Sequence, residues 1–524
     1  MYTPIKSNPT STPSNATTLL SRGGVDKRDL PQLLDPKFAQ SIVNYWIYSD
    51  GQLIKRKGVE ELFTVAGVTG FTMLEKATDD LLMIGYGTTV AAYTISTDTV
   101  TNIKTDFSAN SGFEGQKYGN YFFIANGVDL VWRIDLTTLA ITEVTGSPTA
   151  KGVKAINSRL FAWTGSTVYY SAIDDGTNPP FTNWTLSTNA DGPGEVYYRN
   201  AGDVNSVIEV DNNILVFAED GKYAFYINTI DSAGTLKKID VFQMSRLDAG
   251  GARGAINTDD GIFYANEAGL WQLVALGQSD IPLSDQEFNT SLLLGQKYFD
   301  DLNLDSSAII YDRRRRYIYL TCRKNSSTNN FILAYNLDFK AYTEFRGLNI
   351  SRFTKIGESL YGASSTGTKI FTCFEGYSDD GFNISTEYEQ ELQLGQLYTR
   401  QDLLGLYSQG SLSSGTTLTI DFDIYDIDGQ LVKNKSGWTW TSDYSLGIKY
   451  VGWGESAWGG AWGNDIDLSS LTPSFSGCRP FIRNFQRVIL KISGADQSPH
   501  VLHWISLEAA IKRKIRRRNL TKIT

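Results

Sequence analysis

The chain has 524 residues and a formal net charge of −9, which excludes the ordinary basic class of nucleic-acid-binding proteins. Its three cysteines, Cys322, Cys373 and Cys478, lie far apart, which argues against a domain built on disulfides; we expect reduced, buried thiols. The 48 glycines, 28 tyrosines and 26 phenylalanines, against only 4 methionines, favour strands and tight turns. The composition therefore predicts an all-β protein, and the length predicts more than one domain.

Residues 1–45 begin with a mixture of Pro, Ser, Thr and Asn that cannot bury much apolar surface. We predict an extended arm here, or a strand that docks on a partner. The first residues lack the apolar core of a signal peptide, and no apolar run is long enough to span a membrane, so we expect folding in a cytoplasm. Asp50 and Gly51 form a predicted hairpin turn that leads into the next region.

One phrase recurs along residues 46–376: a polar turn, four or five apolar residues, a turn containing glycine, and an aromatic-rich run. Five copies are clear and two are looser, and they start about 40 to 55 residues apart. Each copy is typical of a β-hairpin, and the spacing leaves room for a second hairpin in every repeat. The pattern predicts a β-propeller of six or seven blades. The copies begin at Asp79, Gly119, Asn157, Asp211, Asp259, Arg314 and Gly357.

Residues 377–511 change to longer strands in which apolar and polar residues alternate, as in a β-sandwich. The apolar residues at alternate positions from Leu418 to Ile424 form one predicted buried face, and the opposite face, which includes Asp421 and Asp423, is expected to meet water. The predicted architecture is therefore an extended N-terminal arm, a β-propeller, a C-terminal β-sandwich-like domain, and a basic tail at residues 512–524.

The sequence offers little for catalysis or metal binding. His500 and His503 are the only histidines, and their spacing puts them on opposite faces of a strand, which argues against a shared metal ion. A calcium loop around Gly429 fails because its first and last ligand positions are not acids. Adjacent acids such as Asp259 and Asp260 fit turn positions better than a catalytic carboxylate pair. We therefore expect no enzyme activity and no cofactor.

Three segments are candidate contacts with partners. A run of four arginines in a predicted hairpin is either a solvated turn, with guanidinium groups stacked on tyrosines, or a contact to phosphates or an acidic partner. The terminal basic tract, a short helix or a disordered tail, is expected to bind an acidic neighbour or nucleic acid. A loop of tryptophans and glycines either covers the core or forms a protein interface. The residues are Arg313, Arg314, Arg315 and Arg316 in the hairpin, Lys512, Arg513, Lys514, Arg516, Arg517 and Arg518 in the tail, and Trp453, Trp458 and Trp462 in the loop.

Three stretches of the repeat region together resemble a known family: "NSRLFAWTGSTVYYSAIDDGTNPPFTNW" from Asn157, "DNNILVFAEDGKYAFYI" from Asp211 and "GARGAINTDDGIFYANEAGLWQLVALGQSDIPLS" from Gly251. In this order they resemble the packaged-DNA stabilisation proteins of short-tailed phages, also called tail accessory, hub or nozzle proteins. "DGQLIKRKGVEELF" and "RNFQRVILKISG" resemble the family's entry and closing strands, although Lys57 stands where a proline often precedes Gly58. The first stretch carries the resemblance at Arg159, Ala162, Trp163, Tyr169, Tyr170, Asp175 and Pro179.

The resemblance implies a virion component without catalysis, assembled in the host cytoplasm. Such proteins form a ring, usually a hexamer, below the portal and its adaptor ring, where they extend the DNA channel and retain the packaged genome until ejection. The implied partners are other copies of the chain, the portal-adaptor ring, a distal tail protein or fibres, and double-stranded DNA in transit. A net negative chain suits such a channel, because each phosphate contact would add a salt-dependent hold on the DNA.

An alternative remains from the residues themselves. Aromatic platforms and turn carboxylates would also serve a carbohydrate-binding or glycan-degrading β-propeller at a tail tip. The basic tail has no counterpart in the family pattern, so its partner stays open under either interpretation.

Overall fold

The computed structural model consists of β-strands and turns, and its described residues form no helix and hence none that could cross a membrane. The all-β prediction is confirmed. Two compact units are present: unit 1 comprises Met1–Gly58, Tyr335–Phe345 and Gly376–Thr524, and unit 2 comprises Val59–Ala334 and Arg346–Glu375. The structure describes residues 13–19, 24–25, 38–48, 51–108, 112–176, 179–199, 201–210, 213–229, 237–245, 255–266, 269–273, 281–283, 301–392, 401–425, 431–441, 472–478, 482–485 and 487–511.

The strands are numbered in chain order. They are β1 (Pro13–Leu19), β2 (Ser41–Val43), β3 (Tyr45–Ile47), β4 (Leu53–Lys55), β5 (Val59–Thr64), β6 (Met73–Lys76), β7 (Leu81–Tyr86), β8 (Thr89–Thr94), β9 (Thr99–Lys104), β10 (Glu114–Tyr118), β11 (Tyr121–Ala125), β12 (Trp132–Asp135), β13 (Ile141–Glu143), β14 (Gly152–Ile156), β15 (Arg159–Thr164), β16 (Thr167–Tyr170), β17 (Gly194–Tyr197), β18 (Val204–Val210), β19 (Asn213–Ala218), β20 (Gly221–Thr229), β21 (Lys237–Ser245), β22 (Ile256–Thr258), β23 (Gly261–Asn266), β24 (Gly269–Leu273), β25 (Ile281–Pro282), β26 (Leu302–Asp312), β27 (Tyr317–Lys324), β28 (Phe331–Asn336), β29 (Ala341–Arg346), β30 (Ile350–Ile356), β31 (Ser359–Ser364), β32 (Lys369–Cys373), β33 (Ile384–Leu392), β34 (Gln401–Leu412), β35 (Thr417–Tyr425), β36 (Leu431–Thr441), β37 (Thr472–Cys478), β38 (Ile482–Phe485), β39 (Arg487–Asp496) and β40 (His500–Ile511).

Unit 2 contains small sheets in which strands that follow each other in the chain are neighbours. Five four-stranded sheets are formed by β6 to β9, β10 to β13, β14 to β17, β18 to β21 and β22 to β25. Next along the chain, β26 and β27 pair antiparallel, with β28 as the following neighbour. Another four-stranded sheet has the order β30, β31, β32 and β5. The described residues of unit 2 therefore form seven strand groups, and the last of them is completed by β5, the first strand of the unit.

Each repeated phrase of the sequence forms two adjacent strands of one group. The seven phrases correspond to β7 and β8, β11 and β12, β15 and β16, β19 and β20, β23 and β24, β27 and β28, and β31 and β32, each pair being hydrogen-bonded neighbours. The prediction of hairpins is confirmed. Two apolar runs that are joined by a short turn pair with each other because the turn holds them side by side.

The first strands of the seven groups contact one another in a closed circle. β6 contacts β10, and the contacts continue through β14, β18, β22, β26 and β30 back to β6. Apolar side chains fill the space between consecutive sheets, including Phe63, Leu74 and Ile370 between the last sheet and the first. Side chains also cap the backbone of neighbouring first strands: Thr354 Oγ1 accepts from the Lys76 N–H at 3.1 Å. The circle is thus held by apolar packing and by polar caps on strand edges.

Unit 1 is built from both ends of the chain. One sheet has the order β3, β4, β40, β34 and β37, with β1 paired to β40 and β38 paired to β34. A second series of paired strands has the order β2, β33, β39, β35 and β36. The predicted hairpin of β3 and β4 is confirmed, with Gly51 at φ 78° in its turn; Asp50 lies outside the described residues.

Trp440 on β36 packs against β34 in unit 1. Its side chain is fully buried, and a Cβ added at Gly410 would lie 2.8 Å from Trp440 Cη2. Glycine is therefore required at this position of β34, because the backbone oxygen of Val501 lies even closer than the indole ring.

The predicted alternation along β35 is confirmed for its apolar face, because Leu418, Ile420 and Phe422 are all fully buried. The prediction for the opposite face is wrong at Asp423, which is only 6% exposed. Lys491 on the neighbouring strand β39 reaches the Asp423 carboxylate at 2.7 Å, so a charged pair covers this part of the face.

The role of β5 can be tested by removing its buried aromatic ring. Phe63 is 6% exposed and stacks on Tyr93 with ring centroids 3.7 Å apart. Phe63→Ala should destabilise unit 2 by about 3–5 kcal/mol, seen as a lower urea midpoint. The matched control is Glu60→Ala on the same strand, an exposed position where a change within about 0.5 kcal/mol is expected. Equal midpoints for the two variants would contradict the position of β5.

Candidate functional site

The arginine run forms the turn between β26 and β27, as the sequence predicted. Asp312 and Tyr317 are the last paired residues on either side, and Arg316 has φ 58°. The fully buried Asp312 carboxylate accepts from the Arg314 backbone N–H at 3.1 Å and from Arg315 Nη1 at 2.8 Å. The turn is therefore organised around a buried carboxylate of its own hairpin.

The turn of Asp259 and Asp260, between β22 and β23, lies against the arginine turn. Both Nη atoms of Arg316 donate to the Asp260 carboxylate, at 2.8 and 3.2 Å. Arg313 lies 3.2 Å from Asp259, and these two side chains are 72% and 69% exposed. A bidentate pair and an exposed pair thus join turns of two consecutive strand groups. The predicted contact of the arginines with phosphates or an acidic partner stays a prediction, with Arg313 the most exposed member of the pairs.

The structure also contains a buried polar cluster in unit 1 that the sequence analysis missed. Tyr45 Oη and His500 Nε2 lie 2.9 Å apart. Lys55 Nζ pairs with the carboxylate of Asp496 and donates to the backbone oxygens of Asp496 at 2.6 Å and Ser498 at 3.1 Å. The Lys55 side chain is completely buried, so these contacts replace its hydration.

Arg56 is the second buried cation of the cluster. Its guanidinium donates to both carboxylate oxygens of Asp379, at 2.8 and 2.5 Å, and to Asn44 Oδ1 at 2.8 Å. It also lies over the ring of Phe345, 5.7 Å from the centroid. The guanidinium therefore has a bidentate acid, an amide and an aromatic ring around it, which suits a permanently charged group held out of water.

Burial sets the protonation of this cluster. Burial lowers the pKa of Lys55, and the neighbouring Asp496 carboxylate opposes that change. Burial, with a smaller contribution from the Lys55 charge, lowers the pKa of His500 from 6.5 to about 3, so His500 is neutral at pH 7. Burial likewise raises the pKa of Tyr45. Within the described part of the chain, His500 Nδ1 and Asp496 Oδ2 are buried atoms without a hydrogen-bond partner.

The remaining candidates have different outcomes. Cys322 and Cys373 are buried and reduced, which confirms the prediction for these two. His503 contacts Ser411 Oγ at 2.8 Å rather than His500. No group of three or more His, Cys, Asp or Glu suited to a metal occurs among the described residues.

Two predicted sites lie outside the described residues: the tail residues Lys512, Arg513, Lys514, Arg516, Arg517 and Arg518, and the loop residues Trp453, Trp458 and Trp462.

The sequence contained one signal for the buried cluster. Lys55 and Arg56 directly follow the apolar residues Leu53 and Ile54 in a short strand, and two adjacent cations at that place must be either exposed or paired. Their acids are 441 and 323 residues away along the chain. No spacing rule can pair groups that far apart, so only the fold identifies the partners.

Removal of one buried charge tests the cluster. Asp379→Asn keeps the size of the side chain but leaves the Arg56 guanidinium without its anion, and we expect a loss of about 3–5 kcal/mol in the free energy of unfolding of unit 1. The control is Asp79→Asn, which removes the acid of an exposed pair with Lys76 and should leave the urea midpoint unchanged. If both variants have the same urea midpoint, the buried pair of Arg56 and Asp379 does not stabilise unit 1 as described.

The neutral His500 predicts a specific pH dependence. The unfolded chain binds a proton on His500 near pH 6.5, whereas its lowered pKa in the folded chain delays protonation to about pH 3, so stability is lost as pH falls through this window. The slope approaches about 1.4 kcal/mol per pH unit for one such group. His500→Gln should reduce the slope of the free energy of unfolding against pH between about pH 6.5 and 5, whatever the effect of the substitution on stability at pH 8. An unaltered slope in the variant would contradict the burial of a neutral imidazole.

No family model matches the chain, and no curated protein is detectably similar to it in sequence.

Proposed function

We propose that this protein is a structural component of a phage tail, a hub or nozzle ring below the portal and adaptor, which extends the DNA channel and retains packaged DNA until ejection. In this proposal the ring is a hexamer of the chain, and its location is the virion tail. The observation that carries the proposal is the circle of seven strand groups closed by β5, in a chain whose repeats include the stretches that resemble tail hub proteins.

The seven groups support a seven-bladed β-propeller for unit 2. Propeller blades are four-stranded antiparallel sheets arranged around a central axis, with their first strands innermost. The contacts that run from β6 through every first strand back to β6 are those expected of seven blades. The pairing of β5 with β32 supplies the closure that a circular fold needs, since the start of the unit completes its last blade. Seven is the larger of the two blade numbers predicted from the sequence.

The two sheets of unit 1 support a β-sandwich-like domain. Long antiparallel strands with one buried apolar face need a second layer over that face. Leu418 and Phe422 on β35 are fully buried, and Trp440 on β36 packs against Gly410 on β34, a strand of the other sheet. These contacts agree with two sheets stacked through their apolar faces.

The physical mechanism in this proposal is obstruction and relay. A closed ring with a narrow lumen holds back DNA under pressure until a distal tail component is displaced. The net charge of −9 favours release without sticking, because the chain as a whole offers DNA phosphates no excess of cations. The arginine turn and the basic tail are then contacts to acidic neighbours or fleeting contacts to DNA, and the tryptophan loop is a candidate contact between proteins.

One observation favours the alternative of a carbohydrate-binding or glycan-degrading propeller at a tail tip. Tyr197 on the outer strand β17 is 67% exposed, and exposed tyrosine rings are suitable platforms for the apolar faces of sugars. Binding of the purified chain to host surface glycans would favour this alternative, whereas a hub protein needs no such affinity.

The copy number per particle tests the proposal. We expect about six copies of the chain in each tailed particle, the hexamer implied by the resemblance and allowed by closed ring symmetry. Quantitative mass spectrometry of purified particles, with labelled peptides of this chain and of the portal protein as standards, measures the ratio. Empty capsids without tails are the control and should lack the chain. Absence of the chain from tailed particles would rule out the proposed function.

A further inference from the structure

The long strand β40 has one edge that is covered by two separate elements. On one side, β34 pairs with β40 along its length, from His500 to Ile511. On the other side, β4 pairs only with Val501 and Leu502. The rest of that edge, from Trp504 to Ala510, is covered by β1. Without β1, the backbone N–H and C=O groups of this part of β40 would form an open strand edge, which is a template for pairing with another chain.

β1 joins β40 through a backbone ladder. Its seven residues, Pro13–Leu19, read PSNATTL and include one large apolar side chain. The ladder is antiparallel and continuous, from Pro13 opposite Ala510 to Leu19 opposite Trp504. Backbone ladders are nearly indifferent to side-chain identity, so a strand held in this way pairs equally well with the same edge of another copy.

A fixed point of the fold lies shortly after β1. The Val25 N–H donates to the Tyr342 backbone oxygen at 3.0 Å, the Ala39 N–H donates to the Gly24 oxygen at 2.9 Å, and Val25 is fully buried. A Cβ at Gly24 would lie 2.7 Å from the backbone of Tyr342, so this anchor requires glycine. The five-residue step from Leu19 to Gly24 spans at most about 18 Å when extended. Any strand edge within that reach of the anchor is accessible to β1.

We propose that the edge of β40 from Trp504 to Ala510 is a strand-exchange site, at which β1 of a second copy of this chain replaces the copy's own β1. The proposal rests on the proposed function, because in a ring every copy has a neighbour that carries the same edge at a fixed distance. Exchange conserves the ladder hydrogen bonds and moves them to the interface between copies. The form with β1 paired in its own chain and the form with β1 paired to another copy are therefore nearly equal in energy. The ring holds the edge of the neighbouring copy at a high effective concentration, so exchange competes with pairing inside one chain.

The test uses two differently tagged chains that are co-expressed, one with Ala16→Cys and the other with Leu507→Cys. These positions are directly opposite in the ladder. After mild oxidation of the assembled protein, a disulfide between the two tags is expected in the oligomer and not in the monomer. Light scattering of the same sample reports the number of copies independently of the disulfide.

Three controls define the result. Ala16→Cys paired with Ser506→Cys is out of register by one residue and should not link, because neighbouring residues of a strand point to opposite faces. Ala16→Cys mixed with the unaltered chain excludes links to the native cysteines. Both substitutions in one chain should give a disulfide within the chain in the monomer, which verifies the ladder itself.

Each outcome is decisive. A link between tags confined to the oligomer and to the matched positions supports exchange. A ring in which the doubly substituted chain links only within itself overturns exchange and leaves the proposed function standing. A chain that stays monomeric overturns exchange and argues against the ring as well.

Discussion

The architecture depends on one constraint: the segment from about residue 41 to residue 64 must pair with strands that come hundreds of residues later. In unit 1, β2 pairs with β33, and β4 pairs with β40. In unit 2, β5 pairs with β32, with Val59 opposite Cys373. Neither unit is complete until both early and late strands are present. Contacts of such high sequence separation carry a large loop-closure entropy, so we expect them to form late in folding.

The early segment is specified in unit 1 by charge as well as by apolar burial. Lys55 and Arg56 are fully buried side chains, and each has one acid from the C-terminal part of the chain. Apolar residues of similar volume often stabilise a core as well as buried ion pairs do, because burying ions costs hydration. The ion pairs instead fix the register of β4, since a shift by one residue would leave a charge in the core without its partner.

Polar groups have a second role at the turns of unit 2. The acids Asp259 and Asp260 and the arginines Arg313 and Arg316 were separate features of the sequence, and the fold joins them into one contact between consecutive strand groups. The surface that these arginines offer to a partner is therefore smaller than their number suggests.

Local order was determined by the sequence itself. Seven apolar and aromatic phrases with turns between them predicted seven hairpins, and alternation predicted the buried face of β35, because side-chain periodicity and turn chemistry act over a few residues. The tertiary structure alone decided which distant residues are neighbours. It places β5 in the last sheet, Lys491 beside Asp423, and Asp496 and Asp379 beside Lys55 and Arg56. Such pairings join residues whose separation along the chain has no periodic signature, and they are selected by the burial and charge balance of the whole fold.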